Sequence, residues 1–244
     1  MRYAAQVQQQ LYPAQDLVVE GYDIAGASFA AESACGDYYD YLKSPSGALY
    51  LALGDVSGHG LAPAMIMTAT RSYLRFLIHS EPGLVETMCA VNNALYADLE
   101  RSRFVALLLA RIDLAAGHLV FVNAGLTNGF VLSQSGAVRA ELSVSGPPLG
   151  LIETAAYLPG TSVPLASGDI IVLMTDGITE AQDDAENYFE EERALAVVRD
   201  HRHESAKEIV QSLYREVRQF SGDAPQLDDI TAIVCKVGAM LGSS

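Results

Sequence analysis

Four segments of this chain carry an aspartate directly beside a short apolar run. They are Gly36-Asp37-Tyr38-Tyr39-Asp40, Leu53-Gly54-Asp55-Val56-Ser57-Gly58-His59-Gly60, Met174-Thr175-Asp176-Gly177-Ile178-Thr179-Glu180 and Leu227-Asp228-Asp229-Ile230-Thr231. Each carboxylate stands where a buried strand would meet a loop, a place stiff enough to hold an oxygen ligand in position. Taken singly, an Asp-Gly after a strand is ordinarily a turn, and the spacing leaves open whether the four converge. If they do, their mutual repulsion calls for a hard cation. Mg²⁺ and Mn²⁺ suit all-oxygen ligands, and Mg²⁺ keeps several waters. Two such ions roughly 3.5–4 Å apart can share a bridging water and lower its pKa toward about 7, giving a hydroxide able to attack phosphorus in line.

The runs around these segments predict an α+β fold. Ala4 to Leu11 favours a helix that Pro13 ends. Val18 to Phe29 is β-rich, and Tyr38 to Leu42 with Ala48 to Leu53 predicts a hairpin around Ser44-Pro45-Ser46-Gly47. After Gly60 the apolar period changes. Met65, Ala69, Tyr73, Phe76 and Leu77 fall at helical spacing within Ala62 to His79, and Leu84 to Leu99 predicts a second helix. Val105 to Ile112, Leu119 to Asn123 and Gly129 to Ser133 resemble a meander, with Gly117 and Asn123-Ala124-Gly125 as turns. Asp169 to Met174 predicts a short strand, Glu190 to Arg199 and Ala206 to Phe220 two helices, and Ile230 to Val237 a last strand. Strands and helices in separate blocks argue against an alternating parallel sheet. Sheet packed on sheet, with helices outside both, would bury this many apolar strands.

The Gly54 to Gly60 loop is the most informative segment. Its three glycines permit close backbone approach and positive φ, so the Val56 carbonyl is a candidate metal ligand beside Asp55. No phosphate-cradling G-x-x-x-x-G-K-[ST] is present. His59, in the same loop, is either a general acid for a leaving oxygen or a structural hydrogen-bonding residue. His201 and His203 fit a solvated helix end better than a metal site.

Charge and composition narrow the function classes. A formal charge of −15 repels nucleic-acid backbones, which disfavours a nuclease or another nucleic-acid role. Half the residues are apolar, enough for a sizeable core. The most apolar region, Phe104 to Val122, is interrupted by Arg111, Asp113 and His118, so no membrane span is expected. The first ten residues lack the apolar core of a signal peptide, and a cytoplasmic location is the default expectation. Cys35, Cys89 and Cys235 are odd in number and widely spaced, which predicts free thiols.

The motifs GDYYDYL, LGDVSGHG, NAG, GDIIVLMTDGITEA and LDDITAIV occur in the order seen in bacterial metal-dependent protein serine/threonine phosphatases of the sporulation-protein-E and sigma-B-regulator type, which are relatives of protein phosphatase type 2C. The resemblance runs from about Gln8 to Val237. It implies a four-layer αββα sandwich, a domain over 17–240 preceded by a helical segment over 1–16, and two Mn²⁺ or Mg²⁺ ions. Position by position, Asp55 resembles the carboxylate bridging both ions with the Val56 carbonyl beside it, Asp37 a ligand of the second ion, and Asp176 and Asp228 ligands of the first. Asp229 matches a neighbouring acidic position, and Asp40 belongs to the first motif as a water-mediated ligand. The implied substrate is a phosphoserine or phosphothreonine on an anti-anti-sigma protein of the STAS type, within a partner-switching cascade, and a homodimer through the N-terminal helix is a further expectation. A catalytically inactive module that binds a signalling partner is the alternative; retention of all four aspartates favours the enzyme. Two positions depart from the family pattern: Cys35 stands where a glycine is usual, and Leu126 replaces the histidine of Asn-Ala-Gly-His.

Overall fold

The computed structural model describes residues 2–13, 17–32, 34–100 and 102–238. Helix α1 (Arg2–Gln9) is followed by strands β1 (Tyr22–Phe29), β2 (Tyr38–Lys43) and β3 (Leu49–Val56), and then by helices α2 (Leu61–Ser80) and α3 (Leu84–Asp98). Strands β4 (Val105–Asp113), β5 (His118–Ala124), β6 (Gly129–Leu132), β7 (Val138–Leu142), β8 (Val163–Pro164) and β9 (Ile170–Met174) come next. Helices α4 (Asp176–Thr179), α5 (Glu191–Asp200) and α6 (Ala206–Ser221) precede the last strand, β10 (Ile230–Val237). The expected domain start at residue 17 adjoins residues 14–16, which lie outside the described ones.

The strands form two five-stranded sheets, in orders β1-β10-β9-β6-β7 and β2-β3-β4-β5-β8, and every ladder between these strands is antiparallel. The αββα sandwich expected from the resemblance is therefore the observed one. Alternation along each strand builds its layers. Leu49, Leu51 and Leu53 of β3 meet Ile171 and Leu173 of β9 between the sheets. Tyr50 and Ala52 face Met67, Leu74 and Met88 of α2 and α3. Val172 and Met174 face Ala194, Ile209 and Leu213 of α5 and α6. Strands covered on both faces read as continuous apolar runs, such as Ile170 to Met174. Gly60 precedes α2, and Pro63 lies in its first turn, where a missing N–H costs little. Ser205 and Glu208 form a capping box that starts α6.

The expected three-strand meander is corrected by the pairing. β4 and β5 form a hairpin in one sheet, whereas β6 crosses to the other and pairs with β7 and β9. Asn123 makes the corner: its side chain donates to the Leu142 carbonyl at 3.0 Å and accepts from the Leu126 N–H at 2.9 Å. Leu126, the departure from the family histidine, is buried in the core between the sheets. It fills the interior there.

Candidate metal centre

Register alone brings the four aspartate segments to one end of the sandwich. In the β2/β3 hairpin Tyr38 pairs with Gly54, so Asp37 and Asp55 are neighbours at the same sheet end. In the other sheet Ala232 pairs with Met174, and the Thr175 N–H donates to the Thr231 carbonyl at 3.0 Å. Asp176 and Asp228 therefore leave adjacent antiparallel strands at the matching end. The two sheets are stitched there by side chains. Thr175 Oγ1 donates to Asp37 Oδ2 at 2.9 Å, while Asp229 accepts from the Ala31 and Gly36 N–H groups at 2.8 and 2.7 Å. Gly177 is the residue the turn after Asp176 requires: a Cβ there would lie 2.0 Å from the Asp229 carbonyl oxygen.

The electrostatics report the convergence. Burial pushes Asp55 up to about 7, and Asp176, Asp228 and Asp229 add repulsion, relieved in part by a hydrogen bond with Asp37. Asp37, only 1% exposed, is raised well above the usual carboxylate range by burial and then by the Asp55 charge. Asp176 is raised by burial, Asp228 and Glu180. Burial also raises Asp228, an effect opposed by the Asp229 N–H and by His59. Upward shifts of this kind arise where buried like charges share a site.

This donor set fits a hard, hydrated cation. It is all oxygen, it is over-charged without a counter-ion, and the Val56 carbonyl adjoins Asp55. Among the described residues no group of three or more His, Cys, Asp or Glu side chains stands close enough together to hold a metal ion. Any ion held here would complete its shell with waters or substrate oxygens, which is how Mg²⁺ and Mn²⁺ are ordinarily held.

The expected site residues divide into groups. Asp37, Asp55, Asp176 and Asp228 form one mutually repelling cluster. Asp229 belongs beside them, but its two oxygens accept backbone N–H groups of the loop before Asp37, so it also positions that loop. Asp40 is not part of the cluster: alternation on β2 turns it toward α2, where Arg75 grips both oxygens at 2.7 and 2.8 Å and Tyr38 donates at 2.9 Å. The water-mediated role expected of it is replaced by a buried ion pair. His59 is 89% exposed, with Nδ1 3.2 Å from Glu32 Oε1, and stands close enough to act on Asp228.

Two positioning residues escaped the sequence reading. Gln8 of α1 is buried and clamps the Cys35 backbone, donating to its carbonyl and accepting its N–H at 3.0 Å. Tyr12 stacks on Tyr39 and donates to the Asp37 carbonyl at 2.6 Å. A polar helix face carried no sequence signal for this, because the partner is backbone. Gln8→Ala leaves a buried N–H and carbonyl unpaired, a cost of about 1–3 kcal/mol. We expect a correspondingly lower thermal midpoint and several-fold weaker Mn²⁺ binding by calorimetry; an unchanged affinity would show that the clamp does not set the position of Asp37.

A family model described as Stage II sporulation protein E (SpoIIE) matches residues 45–238. The chain belongs to the SpoIIE family. Among relatives of this SpoIIE-family chain is the phosphoserine phosphatase RsbU of Bacillus subtilis (strain 168), 28% identical over 234 residues that cover 96% of this chain and 68% of RsbU. The SiaA-PP2C domain of Pseudomonas aeruginosa superimposes with a TM-score of 0.82 at 22% identity, covering 96% of this chain and 94% of that one. The RsbU and RsbW domains of Rv1364c from Mycobacterium tuberculosis give a TM-score of 0.74 at 24% identity, covering 92% of this chain and 62% of that one. The SpoIIE-family chain thus has the sandwich of PP2C-type phosphatases, and no helix among its described residues is long and apolar enough to cross a membrane.

Proposed function

We propose that this SpoIIE-family phosphatase hydrolyses phosphoserine or phosphothreonine on a signalling protein of the anti-anti-sigma (STAS) type, within a partner-switching cascade. The single observation that carries the chemistry is the gathering of Asp37, Asp55, Asp176 and Asp228 at one end of the sandwich, set by strand register and by the Thr175–Asp37 hydrogen bond. A carboxylate set so crowded is built to be neutralised by cations. Asp37, Asp55, Asp176 and Asp228, with the Val56 carbonyl, would hold two Mn²⁺ or Mg²⁺ ions, and Asp229 would contribute while anchoring the loop. Bound there, such ions supply an activated water at neutral pH and screen the phosphoryl oxygens.

The chain's own residues do the rest. Thr175 fixes one oxygen of Asp37, and the Tyr12 hydroxyl fixes its backbone, so these ligands need no reorganisation. His59, steered at Nδ1 by Glu32, has Nε2 to protonate the leaving serine oxygen. The partner class is supported by the RsbU likeness and by a structural neighbour that carries RsbU and RsbW domains in one protein.

The test is hydrolysis of a chromogenic phosphate ester and of a phosphoserine STAS protein, with Mn²⁺ and with chelator. Turnover that Mn²⁺ supports and chelator abolishes is the expected result. A wild-type chain that binds the phosphorylated protein yet never turns over under either metal would make it the inactive binding module instead.

A further inference from the structure

Basic side chains at the rim of the acidic cluster are differently engaged. His59 is paired with Glu32, and Arg218, in the groove beside Asp176 and Asp228, donates to the Ala224 carbonyl at 3.1 Å. Away from the rim, Arg75 and Arg139 are bound to Asp40 and Asp169. Arg103, at the same rim, is not engaged in this way. Among the described residues its guanidinium has neither a carboxylate within ion-pair distance nor a hydrogen-bond acceptor, in a chain of net charge −15.

Its position is set by the loop that follows Asp55. The next residue, Phe104, exchanges two hydrogen bonds with Ser57: Ser57 N–H to the Phe104 carbonyl at 3.1 Å and Phe104 N–H to Ser57 Oγ at 3.0 Å. The Arg103 N–H donates to the Glu100 carbonyl at 2.9 Å. Arg103 Nη1 then lies 3.5 Å from where a Cβ of Gly58 would stand, and Gly58 has φ +91°. Pro63 packs against the Cβ positions of both Gly58 and Gly36, at 3.9 and 3.3 Å, and that of Gly36 is 3.7 Å from Asp55 Oδ1. The guanidinium therefore lies against the Gly58 turn of the loop that carries Asp55.

We propose that Arg103 is a substrate-binding residue of this site, its guanidinium taking the non-bridging oxygens of the phosphomonoester. The inference rests on the phosphatase reading above and adds the group that orients the substrate. A phosphomonoester dianion approaching a rim of aspartates needs a fixed cation as well as metal charge. A guanidinium supplies it as a planar fork that matches two phosphoryl oxygens, a geometry an ammonium lacks. A charge that is unpaired before substrate arrives loses no internal partner on binding.

Arg103→Ala and Arg103→Lys test the assignment in the Mn²⁺-loaded full chain. The readouts are KM and kcat for a phosphoserine peptide, competitive inhibition by inorganic phosphate, Mn²⁺ affinity by calorimetry and the thermal midpoint. Arg103→Ala should raise both KM and the phosphate inhibition constant by about 10- to 100-fold, the worth of hydrogen bonds to a charged group. Mn²⁺ affinity and midpoint should stay unchanged. Arg103→Lys should recover part of the loss, and it decides the matter if the alanine variant is unstable. Unchanged constants, or a loss fully explained by weaker Mn²⁺ binding, overturn the assignment while the phosphatase reading stands. A wild type without Mn²⁺-dependent turnover overturns that reading, and this assignment with it.

Discussion

Asp55→Asn should lower Mn²⁺-dependent hydrolysis by about a thousandfold or more while the protein stays folded. Charge stabilisation by a bound cation supplies several kcal/mol at the transition state, and each 1.36 kcal/mol is about tenfold in rate. Asparagine keeps the shape of the side chain, so no cavity forms in the loop below it. What it removes is the charge on which repulsion from Asp176, Asp228 and Asp229 converges. The metal-free variant should therefore unfold at a higher temperature than metal-free wild type, even as calorimetry shows Mn²⁺ binding lost. Wild-type Mn²⁺ affinity in this variant would mean that Asp55 is not a ligand. Asp176→Ala and Asp228→Ala should weaken binding in the same direction with the fold retained.

Metal-free protein should lose stability as pH rises from about 4 to about 7. The unfolded chain releases the Asp55 proton near the ordinary aspartate value of about 3.9, whereas the folded chain keeps it to about 7. Between these values the native state binds more protons than the unfolded state, so the slope of stability against pH is negative. The stability is intact below the lower value and lost as pH climbs through the upper one. Asp37, Asp176 and Asp228 are raised too and act in the same direction. One pKa unit corresponds to about 1.4 kcal/mol, so a loss on the order of a few kcal/mol is expected between pH 5 and 7.5. Saturating Mn²⁺, which binds the ionised carboxylates, should restore stability at pH 7.5, and Asp55→Asn should flatten the apo slope. Urea midpoints in chelator at pH 5, 6 and 7.5 measure this. A midpoint that rises over the interval would contradict the buried, mutually repelling cluster.

Much of the architecture was legible because the strands are covered on both faces. Ile170 to Met174 appears as an unbroken apolar run and Ile230 to Val237 as one broken by Thr231 and Lys236, and the helical period of Leu84 to Asp98 is equally plain. The elements that stayed hidden have weak local signals. β7 alternates only partly and is mostly exposed, and β8 is two residues long. Nor did turn chemistry alone say that the chain leaves one sheet for the other after Asn123. That crossing depends on the Asn123 hydrogen bond to the distant Leu142 carbonyl.

Residue types beside apolar runs were enough to mark Asp37, Asp55, Asp176 and Asp228 as ligand candidates, because strand ends are fixed by local periodicity. Their gathering at one rim, and the different duties of Asp40 and Asp229, depended on register and strand alternation, which only long-range pairing sets. The same holds for Gln8 and Tyr12. Each acts on a loop 25 or more residues away, through backbone groups that any sequence can offer. Chemistry was written in the chain locally; geometry arose when the two sheets closed on one another.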